Sequence, residues 1–356
     1  MSRFARLTWT NNMGAFFSPF ISKPDTVSRI MFRVLLALIP AIALYVWYFG
    51  PAILVSLALA SLTALGTEAL MLKLRSRPVA PFLKDNSALV TGWLLALSIP
   101  PLAPWWLIVV GTAFSIAIAK HLYGGLGNNP FNPAMVGFAV LIISFPMQMT
   151  QWFSPRGLGA VELGYLEQLE YIFLGALPPN VTLDAITMAS PLDTLKTRLH
   201  LDEPIKQIFA MPIYGRLAGQ GSEMVSLGFL LGGLYLLAAR IISWHVPVAY
   251  LATLFITAGI FYLADPSHYA APLFHWFSGA AILGAFFILT DPVTSPTTYK
   301  GKLLYAAGAG LLTYLIRVFG SFPDGVAFAT LLMNICVPLI VLYTQPRVFG
   351  KKGKRS

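Results

Sequence analysis

A helix that crosses the roughly 30 Å hydrocarbon layer of a bilayer needs about 20 mostly apolar residues. This 356-residue chain supplies apolar segments of that kind again and again. Ten can be placed, at about 30–49, 51–72, 86–99, 103–120, 132–150, 223–242, 246–264, 274–290, 302–319 and 326–344, with Gly, Pro and charged residues between them. The reading is an all-α integral membrane protein with about ten transmembrane helices. Only 11% of the residues are charged and 57% are hydrophobic, whereas about a quarter of a soluble domain is charged, so one large soluble α-protein is excluded.

The formal net charge of +10 does not mark a nucleic-acid binder, because the cations sit in short stretches between apolar runs rather than along one stripe. Placing Arg3 and Arg6 in the cytoplasm puts Lys73, Arg75, Arg77, Lys84, Lys120, Arg240, Lys300, Lys302 and the tail sequence KKGKR there too. The opposite loops, Pro100–Trp106, Asp265–Pro272 and Gly320–Asp324, are nearly free of Lys and Arg. Segment 151–222 carries Arg156, Lys196, Arg198, Lys206 and Arg216, but loops of that length escape the positive-inside rule. The expectation is two cytoplasmic termini and an external 151–222. The N-terminus has no apolar h-region ahead of a small-residue cleavage site, so no removable signal peptide is read. A lone cysteine, Cys336, builds no disulfide framework and no iron–sulfur or zinc centre, and no metal site is expected.

The two halves resemble each other at an offset of about 192 residues. SALVTGWLLALSIPP (Ser87–Pro101) aligns with GAAILGAFFILTDPV (Gly279–Val293), and GNNPFNPAMVGFA (Gly127–Ala139) resembles GSFPDGVAFA (Gly320–Ala329). Each match is weak alone, since membrane helices share composition; the shared order argues for duplication. Five helices per copy make the repeat inverted, giving units at 1–150 and 223–356 around an intervening 151–222 segment. Inverted repeats place ligand or ion sites at their interface, where helices break and expose backbone dipoles. GGLGNNPFNP (Gly124–Pro133) and DPVTSPTT (Asp291–Thr298) are the two candidate breaks, although both also read as tight loops.

Within 151–222, LDAITMASPLDTLKT (Leu183–Thr197) crowds Asp, Thr, Ser and Pro between apolar blocks. Ser190 before Pro191 is a good helix N-cap followed by proline at the first helical position. Carboxylates in or beside spans are costly unless paired or functional, which makes Glu68, Asp85, Asp291 and Asp324 ion-coupling candidates. Asp85 also reads as a partner for Lys84 or a helix cap, and His121 as an interfacial hydrogen-bonder. Trp105, Trp106, Trp152 and Trp244 fit an interfacial aromatic belt. There is no G-x-G-x-x-G after a strand and no P-loop, so any nucleotide must be handled elsewhere.

Six segments carry a family resemblance over essentially the whole length. They are KDNSALVTGWLLALSIPPLAPWW (Lys84–Trp106), KHLYGGLGNNPFNPAM (Lys120–Met135), SFPMQMTQW (Ser144–Trp152), ASPLDTLKT, GAFFILTDPVTSPTT (Gly284–Thr298) and FPDGVAFATLLMNI (Phe322–Ile335). Through them the chain resembles the RnfD/NqrB family. RnfD (also called RsxD) is a membrane subunit of the Rnf ion-translocating electron transport complex, and NqrB belongs to the sodium-pumping quinone reductase. The resemblance implies a flavoprotein component of a bacterial inner-membrane translocase, not a complete enzyme alone. It would pass electrons between ferredoxin and NAD while Na⁺ or H⁺ moves, beside other membrane, flavin and iron–sulfur subunits. It further implies FMN joined through its phosphate to a hydroxyl side chain by a flavin transferase acting on FAD, and a second, non-covalent flavin such as riboflavin within the bundle. The family's acceptor motif D-x-x-[S/T]-x-A-[T/S] falls on Asp184 to Ser190. Asp184 would serve transferase recognition, Ser190 is the preferred acceptor and Thr187 the alternative, because the family's usual threonine is serine here. Lys196 or Arg198 could contact the phosphate or be solvated loop charges. Without the resemblance, the inverted repeat and broken helices alone would favour a secondary transporter or channel with no redox cofactor, and a scaffold for partner subunits is a third reading.

Overall fold

The computed structural model describes residues 26–345. The cations at Arg3 and Arg6, the KKGKR tail and hence the placement of both termini lie outside the described residues. Helices α1 (Val27–Phe49) and α2 (Ala52–Leu74) form a tight hairpin, followed by the short α3 (Val79–Leu83) and the half-length α4 (Ser87–Ala96). Then come α5 (Trp105–Phe114), continuing into a π-helical stretch Ser115–His121, α6 (Pro133–Ser144) and α7 (Pro146–Thr150). The intervening segment holds β1 (Trp152–Phe153), α8 (Tyr165–Leu174), α9 (Leu183–Ile186), β2 (Thr187–Met188), α10 (Pro191–His200) and α11 (Ile205–Phe209). The second half runs α12 (Ser222–Ala238), α13 (His245–Ala264), α14 (Pro272–Phe277), α15 (Ala281–Leu283) with a π-helical continuation Gly284–Ile288, α16 (Tyr299–Phe319) and α17 (Val326–Thr344). Five of these, α1, α2, α13, α16 and α17, are long and apolar enough to cross a bilayer unaided.

Every one of the ten expected spans overlaps helix. Three are shorter or more broken than the hydropathy suggests. The run 132–150 ends at Ser144, because Pro146 has no N–H to continue the ladder and Phe145 leaves the helical region at φ −134°, ψ 57°. The run 274–290 is interrupted at Ser278–Ala280, and 86–99 is helical only as far as Ala96. A ten-residue helix spans about 15 Å, half the hydrocarbon layer. Residues 87–101 nevertheless run the length of α2's inner half: Ser87 is tied to Glu68 through Lys120, and Pro101 accepts a hydrogen bond from the Ser56 hydroxyl.

The duplication is visible in the order of helices. The starts of α1, α2, α4, α5 and α6 recur as the starts of α12, α13, α15, α16 and α17, at separations between 193 and 195 residues. The two units meet along α1 and α12, where small residues face each other. A Cβ on Gly232 would lie 1.8 Å from the Ala37 carbonyl oxygen, and one on Gly228 would lie 2.6 Å from Ala41 Cα. The Gly228-x-x-x-Gly232 spacing thus lets two backbones approach within a lipid solvent that offers no hydrophobic drive for helix association. Gly232→Ala is expected to destabilise the protein by about 1–3 kcal/mol through overpacking. Gly66→Ala, on a face with no atom within 4 Å of the new Cβ, should be neutral or slightly stabilising. Thermal unfolding of the two purified variants in detergent checks the contrast; equal behaviour would discard the close-approach argument.

The 151–222 segment sits on the side of the α1–α2 turn and the α16–α17 loop. Arg156 N–H donates to the Tyr48 carbonyl, and the Lys196 ammonium donates to the carbonyls of Gly320 and Phe322. It has a small core of its own, Leu192, Leu195, Ile205, Ile208, Ile213 and Tyr214, packed on Ala270, Phe274 and Phe277. The cation-poor stretches 100–106, 265–272 and 320–324 therefore share one face with 151–222, as their composition suggested. The basic loops gather at the other, where Arg75 donates to the His121 carbonyl and Lys302 to the Ser243 hydroxyl.

Candidate functional site

A large apolar cleft lies between the two units on the face covered by 151–222. It encloses roughly 1460 Å³, its open mouth included. Its walls come from the ends of α1 (Tyr45, Phe49), α6 (Met135, Phe138, Ile142), α12 (Val225, Phe229) and α17 (Val326, Phe328), with Trp152 and Phe153 from β1. The stretch Met188–Asp193, with Ser190 at its centre, forms part of the rim. Volume and aromatic lining suit a large planar heterocycle.

Local sequence explains why Ser190 stands there. β2 pairs antiparallel with β1, Thr187 opposite Phe153 and Met188 opposite Trp152, which fixes the strand along the cleft wall. Pro191 starts α10 with its preset φ and needs no donor at that position. Ser190 is the N-cap: its Oγ accepts from Asp193 N–H at 3.2 Å, and its own proton is given to no acceptor among the described residues. Thr187, by contrast, spends its hydroxyl on the Leu183 carbonyl at 2.9 Å and does not line the cleft. Asp184 is exposed, three residues from Thr187 on the outer surface of α9. Burial pushes the Asp193 carboxyl above its ordinary range, opposed by Lys196, and burial lowers the Lys196 ammonium, opposed by Asp193.

Lys196, expected as a phosphate contact, has its ammonium turned to the carbonyls of Gly320 and Phe322, so it pins α10 to the α16–α17 loop. Arg198 pairs with Glu203 at 2.8 Å. The positive end near Ser190 is instead the N-terminus of α10 itself.

A second cavity, roughly 860 Å³ with its mouth, opens toward the basic face. The two glycine- and proline-rich breaks converge on it: Leu126, Asn129, Asn132 and Pro133 from the first, Asp291, Pro292 and Val293 from the second. Residues 280–290 form the partition, with Ala280, Leu283 and Ile288 facing the outer cleft and Phe286, Phe287 and Thr290 the inner cavity. The partition is held at both ends. Asp324 Oδ2 accepts from Ala280 N–H at 2.7 Å, and the Asn132 side-chain amide donates to the Ile288 carbonyl at 3.2 Å. Asn334 adds hydrogen bonds to Asn132 N–H, the Thr294 carbonyl and Tyr305 Oη.

The ion-coupling candidates fall in three places. Asp291 is half-buried at the inner cavity and is satisfied locally by Val293 N–H and the Thr294 hydroxyl. Asp324 borders the outer cleft and is clamped by Arg317, whose guanidinium also donates to the carbonyls of His275 and Ser278 at 2.6 and 2.9 Å. Glu68 and Asp85 belong to one network. Glu68, 2% exposed, receives the Lys120 ammonium on both oxygens at 2.8–2.9 Å, and His121 Nε2 lies 3.0 Å away within ion-pair reach, though not aligned as a hydrogen bond. Asp85 does not pair with Lys84; it accepts from the Ser87 N–H and hydroxyl, capping the start of α4. Lys120 and Arg317 were missed as site residues because a cation at a helix end reads as a topology signal. Only the fold reveals that each is buried against a carboxylate from another helix or loop. Among the described residues no cluster of three or more His, Cys, Asp or Glu side chains could hold a metal.

Residues 15–350 match the NQR2, RnfD, RnfE family. The chain is similar to proteins named as the D component of the ion-translocating oxidoreductase complex. It is 53% identical over 345 residues to that of Escherichia fergusonii, 52% over 343 residues to that of Cronobacter sakazakii, and 53% over 345 residues to that of Shigella dysenteriae serotype 1. Each alignment covers 94% of this chain and 98% of the relative.

Proposed function

The chain belongs to the NQR2, RnfD, RnfE family, and on that footing we propose that it is the membrane flavin subunit of an ion-translocating oxidoreductase complex of the bacterial inner membrane. In this reading the complex passes electrons between ferredoxin and NAD and moves Na⁺ or H⁺. The face bearing Arg75, Lys120 and Lys302 is cytoplasmic, and 151–222 is external. The observation that carries the reading is the placement of a free hydroxyl, Ser190, on the rim of an aromatic-walled cleft large enough for an isoalloxazine ring.

The chain's own residues do three things there. Ser190 is the ester oxygen for the FMN phosphate, and the first turn of α10 offers its positive end to that phosphate, which would be prohibitive in lipid. Exposed Asp184 gives the flavin transferase its handle on the loop. Trp152, Phe153, Phe138 and Phe229 wall the ring away from water. FMN so bound would supply one- and two-electron carrier chemistry. The inner cavity is assigned to a non-covalent flavin such as riboflavin, because an uncharged polyol tail matches its amide lining, Asn129 and Asn132, without demanding a phosphate site. With the 280–290 partition between them, the two cavities put two carriers in series across the membrane.

Mass spectrometry of the peptide containing Leu183–Thr197, from chain co-expressed with a flavin transferase, tests the attachment. An FMN-sized addition on Ser190 is expected. An unmodified peptide, with the transferase active on another substrate, would remove the covalent flavin and favour the transporter reading.

A further inference from the structure

From the basic face to the wall of the inner cavity runs an unbroken chain of proton-exchanging groups, away from Ser190 and the outer cleft. Asp85 is half-buried at the end of the α3–α4 turn. The Ser87 hydroxyl donates to Asp85 Oδ1 at 2.6 Å, the Lys120 ammonium donates to Ser87 Oγ at 2.9 Å, and the same ammonium donates to Glu68 at 2.8 Å. His121 lies beyond Glu68 at 3.0 Å, and Ser87 and Lys120 line the inner cavity. A purely structural ion pair needs two partners. Here a cation is shared between a carboxylate and a hydroxyl that passes the contact outward to a second carboxylate.

We infer that Asp85, Ser87, Lys120 and Glu68 form a proton-loading path from the basic face into the membrane interior, making H⁺ the ion that this subunit handles. The inference rests on the translocating-oxidoreductase reading. One proton enters as follows. The Lys120 ammonium gives a proton to the Glu68 carboxylate, breaking an N–H and forming Glu68 O–H. The amine then takes the Ser87 hydroxyl proton, and the Ser87 oxygen takes the proton of protonated Asp85, which had drawn it from water. The net change is one proton moved from water to Glu68, with Lys120 and Ser87 restored and no electron transferred. Lys120 and His121, adjacent at the end of the π-helical stretch Ser115–His121, both reach Glu68. The Arg75 guanidinium donates to the His121 carbonyl, and Asp291 faces the same cavity. Buried side-chain networks of this kind inside membranes mark proton relays.

The test uses the whole complex in inside-out membrane vesicles, in Na⁺-free buffer with K⁺ and valinomycin. Reduced ferredoxin and NAD⁺ drive it, and a pH dye in the lumen reads proton entry. Ser87→Ala removes the conducting hydroxyl while leaving the Lys120–Glu68 pair intact. It is expected to slow luminal acidification by about a hundredfold, the lower end of what a positioned proton-transfer group contributes. Ser87→Thr, which keeps the hydroxyl, should restore it along with the solvent isotope effect of the wild-type complex. Wild-type acidification in Ser87→Ala, or equal impairment in Ser87→Ala and Ser87→Thr, overturns the path. So does a wild-type complex that transfers electrons without acidifying Na⁺-free vesicles. A wild-type complex that transfers no electrons fails earlier, by removing the functional reading itself.

Discussion

Ser190→Ala is expected to abolish covalent flavin outright: the denatured protein band should lose its fluorescence, whereas Thr187→Val should keep it. The effect is all-or-none because an ester needs an oxygen and alanine has none. The contrast between the two positions comes from their surroundings. Ser190 sits on the cleft rim with its proton uncommitted, while Thr187 is locked in the β1–β2 ladder with its hydroxyl given to Leu183. To serve as acceptor, Thr187 would have to break that bond and turn a β-branched side chain in a strand, where its rotamer is restricted. Ser190→Thr should remain flavinylated, since threonine is also a favourable N-cap and carries the same hydroxyl oxygen. Loss of the N-cap bond in Ser190→Ala adds a cost of about 1 kcal/mol, too small to unfold the segment, so absence of flavin could not be put down to misfolding. A fluorescent Ser190→Ala band would move the attachment to another hydroxyl and leave the cleft without its tether.

Much of this was legible in advance. Each of the ten apolar runs overlaps helix, and five of the helices are long and apolar enough to cross a bilayer. The offset of about 192 residues reappears as a spacing of 193 to 195 residues between helix starts. What was not legible is where helices stop inside apolar runs. Ser144 and Phe277 end helices for local reasons, a proline ahead in one case and Ser278–Gly279 in the other, and hydropathy averages over both. Gly279 in particular adopts φ +59° with no room for a Cβ, which would lie 2.4 Å from Asp324 Oδ2. Nor does sequence reveal pairing across 50 or more residues. Glu68 and Lys120 are 52 apart and Lys196 and Gly320 are 124 apart, so the sequence marked Glu68 as a costly carboxylate and Lys196 as a possible phosphate contact without showing the partner of either.

Arg317 carries the second large effect. Its side chain is 1% exposed and holds three partners: Asp324 in an ion pair at 3.0 Å, and by hydrogen bonds the carbonyls of His275 in α14 and of Ser278 just after it. Asp324 in turn holds Ala280 N–H and caps α17 at Val326. Removing the guanidinium, as in Arg317→Met, therefore leaves a carboxylate and two buried carbonyls short of partners. The expected cost is about 3 kcal/mol, the lower end for breaking a buried ion pair from one side. The double variant Arg317→Met with Asp324→Asn should recover part of that loss, because the unpaired charge goes with its partner. This separates two roles for Asp324. If the carboxylate is only half of a clamp, Asp324→Asn and Arg317→Met will lower thermal stability together, couple by about 1 kcal/mol or more in a double-mutant cycle, and loosen the Ala280 end of the partition so that both cavities lose ligand affinity. If instead Asp324 exchanges an ion, Asn at that position should leave unfolding temperature and flavin content near wild type and stop translocation alone. The three bonds that Asp324 makes to Arg317, Ala280 and Val326 occupy both its oxygens, which argues for the clamp and directs the search for the moving ion to the Glu68 side of the molecule.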